Sequence, residues 1–165
     1  MAPDPRIAVC PGSYDPITYG HVDVITRTSE MFDEVVVAVV NLSSRKNPPL
    51  FGIEERVGFI EDAISHLRNV RVEPFKVLVV DFARQVGAKA IVKGLRAISD
   101  FEYELEMHQL NRMQAPEIES LYLMASPQYS FLSSSGVKEL ATFGGAINDL
   151  VPNRVARRLQ EELAR

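Results

Sequence analysis

Cysteine is nearly missing from this 165-residue chain. Cys10 stands alone, so no internal disulfide can form. At the end of a short apolar run it reads as a small packed hydrophobe. Long apolar runs are missing as well. The longest uninterrupted aliphatic stretch, Val35 to Val40, is far too short to span a bilayer. Met1-Ala2-Pro3-Asp4-Pro5 has neither the basic start nor the apolar core of an export signal. Nor is there a surplus of positive charge. The formal net charge is −4, whereas a nucleic-acid partner asks for a basic surface. These absences predict a cytoplasmic protein with no membrane and no nucleic-acid partner. No Cys/His cluster or His-Glu-x-x-His spacing offers a metal cage, and no Gly-x-Ser-x-Gly elbow offers a hydrolase serine. Internal repeats, low-complexity segments and interdomain linkers are lacking too. With 46% hydrophobic and 24% charged residues, the length suits one domain over residues 1–165.

What is present is alternation. Strand candidates are Ile7–Cys10, Val35–Val40, Val70–Glu73, Ala90–Lys93 and Leu121–Ala125. They are short, aliphatic and mostly apolar on both faces, the pattern of buried parallel strands. Helical spacing lies between them. Val22, Ile25 and Phe32 share one face. Ile53, Val57, Ile60, Ile64 and Leu67 share another, then Val79, Phe82, Ala83 and Val86. A fourth helix runs from about Asp100 to Gln114, a short one from Val137 to Phe143, and a last one from about Pro152. Strictly alternating strand and helix predicts one α/β, doubly wound, five-stranded parallel sheet of Rossmann type, order 3-2-1-4-5, with helices on both faces.

In such sheets ligands bind beyond the carboxyl ends of the strands, where the strand order reverses. The first strand leads into Pro11-Gly12-Ser13-Tyr14-Asp15-Pro16-Ile17-Thr18-Tyr19-Gly20-His21. Gly12 and Gly20 let backbone approach a ligand, and a helix starting near His21 aims free N–H groups into the loop. The alternative is a loop that simply turns. The fourth strand leads into Lys93-Gly94-Leu95-Arg96, two cations within four residues. These either meet an anion or pair with Glu102 or Glu104. The fifth leads into Ser126 through Gly136, where Ser133-Ser134-Ser135 either serve a ligand or only cap a helix. The second leads into Asn41 to Pro49, with Arg45 and Lys46, a binding loop or a mobile surface loop. His66 and His108 read as helix residues without a catalytic role. Arg154, Arg157, Arg158 and Arg165 read as an exposed face paired with Glu161 and Glu162.

These segments together carry a resemblance. Pro11 to Pro16 with Thr18-Tyr19-Gly20-His21 resembles the T/H-x-G-H signature of the nucleotidyltransferase superfamily. Adding Lys93 to Arg96, Asp100-Phe101-Glu102-Tyr103-Glu104 and Tyr129 to Ser135, the chain is similar to the bacterial phosphopantetheine adenylyltransferases over nearly its whole length.

The resemblance implies transfer of AMP from ATP to 4′-phosphopantetheine, giving dephospho-coenzyme A and pyrophosphate. It also implies magnesium entering with ATP, a homohexamer, and coenzyme A as a feedback ligand. By the same resemblance His21 stabilises the α-phosphate, and Ser13 and Arg96 join it as catalytic groups. Ser13, Tyr14, His21, Gly94, Leu95, Arg96, Glu104, Tyr129, Ser130, Phe131, Leu132, Ser133, Ser134 and Ser135 line the ATP site. Ser13, Lys46, Val79 and Lys93 take the acceptor. Lys93 stands where many members have Arg, so charge survives but bidentate geometry does not. Counting back from Phe51 selects Lys46 as the loop cation; counting forward from Phe32 selects Arg45. Competing readings are a related transferase using CTP or nicotinamide mononucleotide, a non-catalytic nucleotide-binding domain, and a flavodoxin-like electron carrier.

Overall fold

The computed structural model describes residues 4–42 and 47–163. Five strands form one sheet: β1 (Ile7–Gly12), β2 (Glu34–Val40), β3 (Val70–Phe75), β4 (Ala90–Leu95) and β5 (Glu119–Met124). Their order is β3-β2-β1-β4-β5 and every pairing is parallel. The helices are α1 (Tyr19–Met31), α2 (Ile53–Ala63), α3 (Val79–Gln85), α4 (Ile98–Gln114), α5 (Ser134–Thr142) and α6 (Asn153–Leu163), with a 3-10 turn at Pro127–Tyr129. This is the strand order that the alternation predicts.

The core shows why the β-branched run in β2 works. Successive strand side chains point to opposite faces. Val35, Val37 and Val39 therefore pack with Ile25, Phe59 and Leu159 on one side. Val36 and Ala38 pack with Phe75, Val80 and Phe82 on the other. The expectation of two-sided burial fails at the edges. Val70 to Glu73 are half-buried, and Glu119, Leu121 and Met124 are exposed. The helix that could cover β5, α4, has no buried residue.

Several boundaries differ from expectation for local reasons. α1 starts two residues before His21, because Thr18 caps it. α5 starts at Ser134, because Ser133 accepts from the Gly136 N–H. β4 runs past the expected Lys93 to Leu95, so Gly94 and Leu95 are strand residues, not loop residues. On the last helix Arg158 pairs with Glu161 and Glu162, and also reaches Glu55 of α2. Among the described residues, no helix is long and apolar enough to cross a membrane.

The topology creates a crevice. β1 stays in register with β2 as far as Gly12↔Val39, but pairs with β4 only at Ala8↔Ala90 and Val9↔Ile91. Their carboxyl ends then part, at the point where the strand order reverses.

Candidate active site

The loop after β1 is fixed by its own residues. Tyr14 has φ 48°, a left-handed conformation uncommon for a bulky residue. That turn sends its ring back over Gly12, where an added Cβ would meet Tyr14 Cε2 at 3.0 Å. The space at Gly12 is thus filled by Tyr14 and not kept for a ligand, contrary to expectation. The Tyr14 hydroxyl donates to the Cys10 carbonyl at 2.9 Å. Burial pushes that phenol well above its ordinary range, and pushes the Cys10 thiol up to about 12. Neither group ionises near neutral pH, which fits packing roles.

His21 is the third residue of α1 and takes the place of the Glu or Gln in a capping box. Its backbone N–H donates to Thr18 Oγ1 at 3.4 Å, and its Nδ1 accepts from the Thr18 backbone N–H at 3.0 Å. Thr18 is fully buried, so this cap is shielded from water. An accepting Nδ1 places the proton of the neutral ring on Nε2. Burial first, and then the Arg96 guanidinium, push His21 down to about 4. The ring is therefore neutral at physiological pH, with Nε2–H left as a donor. Tyr14 braces it edge-on, ring centroids 5.0 Å apart.

Two cavities meet at this histidine. The larger, about 590 Å³, is lined by His21, Lys93, Gly94, Arg96, Glu104, Tyr129, Leu132 and Ser133 to Ser135. The smaller, about 420 Å³, is lined by Ser13, Pro49 and Lys138, and shares Tyr14, His21, Ser134 and Ser135 with the first. The size suits small ligands. Segments from the ends of β1, β4 and β5 thus converge on one rim.

Comparison with known proteins identifies the family and the fold. A family model described as cytidylyltransferase-like matches residues 9–140. Phosphopantetheine adenylyltransferase of Desulforudis audaxviator is 50% identical over 95% of both chains. That of Heliobacterium modesticaldum is 51% identical over 94% of this chain and 92% of its own. The chain belongs to the phosphopantetheine adenylyltransferase family. A solved structure from Vibrio parahaemolyticus, provisionally named a nicotinate-nucleotide adenylyltransferase, shares the fold with TM-score 0.68. It is 16% identical and covers 94% of this chain and 98% of its own.

Within this family fold the cavity cations already have partners. Lys93 Nζ lies 2.6 Å from Glu104 Oε1. Arg96 Nε lies 3.4 Å from Asp100 Oδ2, and its Nη1 donates to the Leu132 carbonyl at 2.7 Å. Glu104 and Asp100 sit one turn apart on α4, so one helix face neutralises both cations. Ser133 caps α5, and Ser134 Oγ donates to the Pro16 carbonyl at 2.8 Å. Ser135 is exposed. The triple serine thus joins α5 to the first loop as well as facing the cavity.

The remaining predicted residues fall elsewhere. Leu95 is buried and, like the exposed Ser130, lies outside the lining of both cavities. Phe131 is 71% exposed and borders a separate apolar cavity with Leu140 and Phe143. Val79 packs against the second core cluster. Lys46 and Arg45 lie outside the described residues. Sequence reading missed Asp100, Tyr103 and Lys138 as lining residues, and Asp23, whose carboxylate accepts from Ser126 Oγ at 2.8 Å. That bond ties α1 to the loop after β5. Asp100 stood in a quoted motif, but only the fold shows which helix face it occupies.

Proposed function

We propose that this protein transfers the adenylyl group of ATP to 4′-phosphopantetheine. The observation that carries the reading is that His21, Lys93, Arg96 and the triple serine line one cavity, which opens at His21 onto the Ser13 cavity. The names and the identity of the relatives support the same substrates. A phosphate oxygen of the acceptor attacks the α-phosphorus of ATP in line. The bond from that phosphorus to the β-phosphate oxygen breaks, and pyrophosphate leaves. The attacking oxygen is already anionic, so no general base is needed.

The difficulty is bringing two polyanions together. At 4 Å, two like unit charges repel by roughly 4 kcal/mol at an effective dielectric near 20. Lys93, Arg96, Lys46 and the N-terminus of α1 offset that repulsion. Anion binding exchanges the carboxylates Glu104 and Asp100 for phosphate oxygens around the two cations. His21 Nε2–H donates to the phosphoryl oxygens on which charge grows. Ser13 and Lys93 contact the acceptor. Tyr14, Gly94, Glu104, Tyr129 and Leu132 to Ser135 serve ATP.

No group of three metal-ligating side chains occurs among the described residues, and the cavity carboxylates Asp100, Glu104 and Asp15 all face cations. We infer that magnesium enters on the ATP phosphates instead of in a protein cage. Coenzyme A, sharing the acceptor's arm, competes for the same cleft. The uncovered face of α4 supports assembly into a homohexamer, and ATP as co-substrate fits a cytoplasmic protein.

The test is to incubate pure protein with ATP, magnesium and phosphopantetheine, and to look for dephospho-coenzyme A by mass. Parallel reactions substitute CTP for ATP, or nicotinamide mononucleotide for the acceptor. Turnover only in one of those reactions would reassign the substrates. ATP binding with no pyrophosphate release from any acceptor would make this a nucleotide-binding domain.

A further inference from the structure

Asp15 and Arg56 are the charged side chains among the buried polar residues described, and both hold the main chain that frames the smaller cavity. Arg56, on the first turn of α2, is 2% exposed. Its Nη1 donates to the carbonyls of Ser13 at 2.7 Å and Val40 at 3.0 Å. Its Nε donates to the Phe51 carbonyl at 3.0 Å. Asp15 accepts from the N–H groups of Leu50 at 2.8 Å and Phe51 at 2.9 Å, and from Lys138 Nζ at 3.0 Å. Phe51 is thereby held through both its amide and its carbonyl. Its ring is locked as well, edge-on to Phe59 with centroids 5.2 Å apart.

We propose that Arg56 is a positioning residue for the acceptor side of the cleft. It fixes the Ser13 main chain and both ends of the loop after β2, and so sets the walls against which the acceptor phosphate is seated. The inference rests on the function proposed above.

Removing a guanidinium from water costs several kcal/mol, and an apolar side chain of similar volume is often as stabilising. Phe59 and Ile60, also on α2, are wholly buried apolar residues, so packing alone did not call for Arg. All three of its bonds end on backbone carbonyls, from three separate segments. A planar fork of N–H donors fixes three such carbonyls in one set geometry, whereas an ammonium is a compact point charge on a flexible stem. Ser13 itself is exposed, and its carbonyl bond to Arg56 restrains it from behind. The three clamped segments supply Ser13, Val40 and Pro49 to the smaller cavity. Among the described residues, no hydrogen bond or ion pair ties Arg56 to the wall made by Lys93 and Arg96. Its effect should therefore divide unequally between the two substrates.

The experiment is steady-state kinetics on the full chain, wild type against Arg56→Met and Arg56→Lys, with thermal melts alongside. Arg56→Met is expected to raise KM for phosphopantetheine about tenfold or more, since small misplacements of binding groups act on that scale. KM for ATP should move less than threefold. Arg56→Lys, which keeps the charge but not the fork, should show the same split at smaller size. It also serves as the readable variant if Arg56→Met does not fold. Equal shifts in both KM values, or a lowered melting temperature with unchanged kinetics, would make Arg56 structural only and overturn the proposal. A wild type that makes no dephospho-coenzyme A would instead sink the reading of function. Active wild type with an unsplit Arg56→Lys sinks the positioning role alone.

Discussion

Protonating His21 in the free protein would turn Nδ1 from an acceptor for the Thr18 amide into a donor facing it. It would also set a second cation near Arg96, whose charge already lowers the ring. Burial first and the Arg96 charge second hold the folded ring near 4 against an ordinary 6.5, and the lost Thr18 bond opposes protonation in the same direction. A depressed folded value contributes stability that is fully present above 6.5 and is lost as the pH falls towards 4. The contribution is on the order of 3–4 kcal/mol, taking about 1.4 kcal/mol per unit between 6.5 and 4. Urea melts of wild type from pH 7 to 4 should therefore lose stability more steeply than those of His21→Ala. Parallel slopes would mean that the ring titrates in the ordinary range. The same variant tests the chemistry. Losing a donor aimed at developing charge typically costs about a hundredfold or more in kcat, so His21→Ala should fall by that much with ATP affinity little changed. Turnover near wild type would remove His21 from the mechanism.

At the scale of elements, the site depends on how closely β4 passes α1. An added Cβ at Gly94 would meet Val24 Cγ2 at 2.9 Å, inside normal contact. Val24 is β-branched and cannot swing aside freely. Gly94→Ala should destabilise by about 1–3 kcal/mol, the usual cost of overpacking. Val24→Ala in the same chain should recover part of the loss, with a coupling of about 0.5 kcal/mol or more. Additive effects in a double-mutant cycle would show that the contact is not what Gly94 serves. The sequence exposed Gly94 as one member of a Lys-Gly-Leu-Arg run, but not this reason for it. The difference is general in this chain. Strand order, and the rim where the loops gather, follow from alternation and from the switch-point rule. They were legible because periodicity is local. Lys93 pairing with Glu104 joins a strand to the next helix, and Asp23 receiving Ser126 spans 103 residues. A single sequence offered Glu102 and Glu104 as equal partners, and the facing of α4 chose between them. Arg56 carried no signal at all. Nothing in its neighbours along the chain separates it from exposed Arg68, because its partners are main-chain carbonyls of residues 13, 40 and 51.

For the molecule as a whole, α4 is the part that one chain leaves unfinished. Its seventeen residues include none that are buried. Ile98, Phe101 and Leu105 recur at helical spacing, and Ile98 is 80% and Met113 79% exposed. Beside it Leu121 and Met124 of β5 are exposed too. A contiguous apolar surface of this kind marks an interface, and closed assemblies of identical chains bury such surfaces by symmetry. The homohexamer proposed above predicts a particle of about 110 kDa by light scattering, six copies of an 18.4 kDa chain. Leu110→Glu combined with Met113→Glu should yield smaller species, since charge in a buried apolar contact is strongly unfavourable. The same helix carries Asp100, Tyr103 and Glu104 into the larger cavity. A dissociated variant should therefore also bind ATP more weakly, although neither substituted residue lines that cavity. Wild type running at the mass of one chain would leave the apolar face of α4 to some other partner. Dissociation with unchanged ATP affinity would separate assembly from the site.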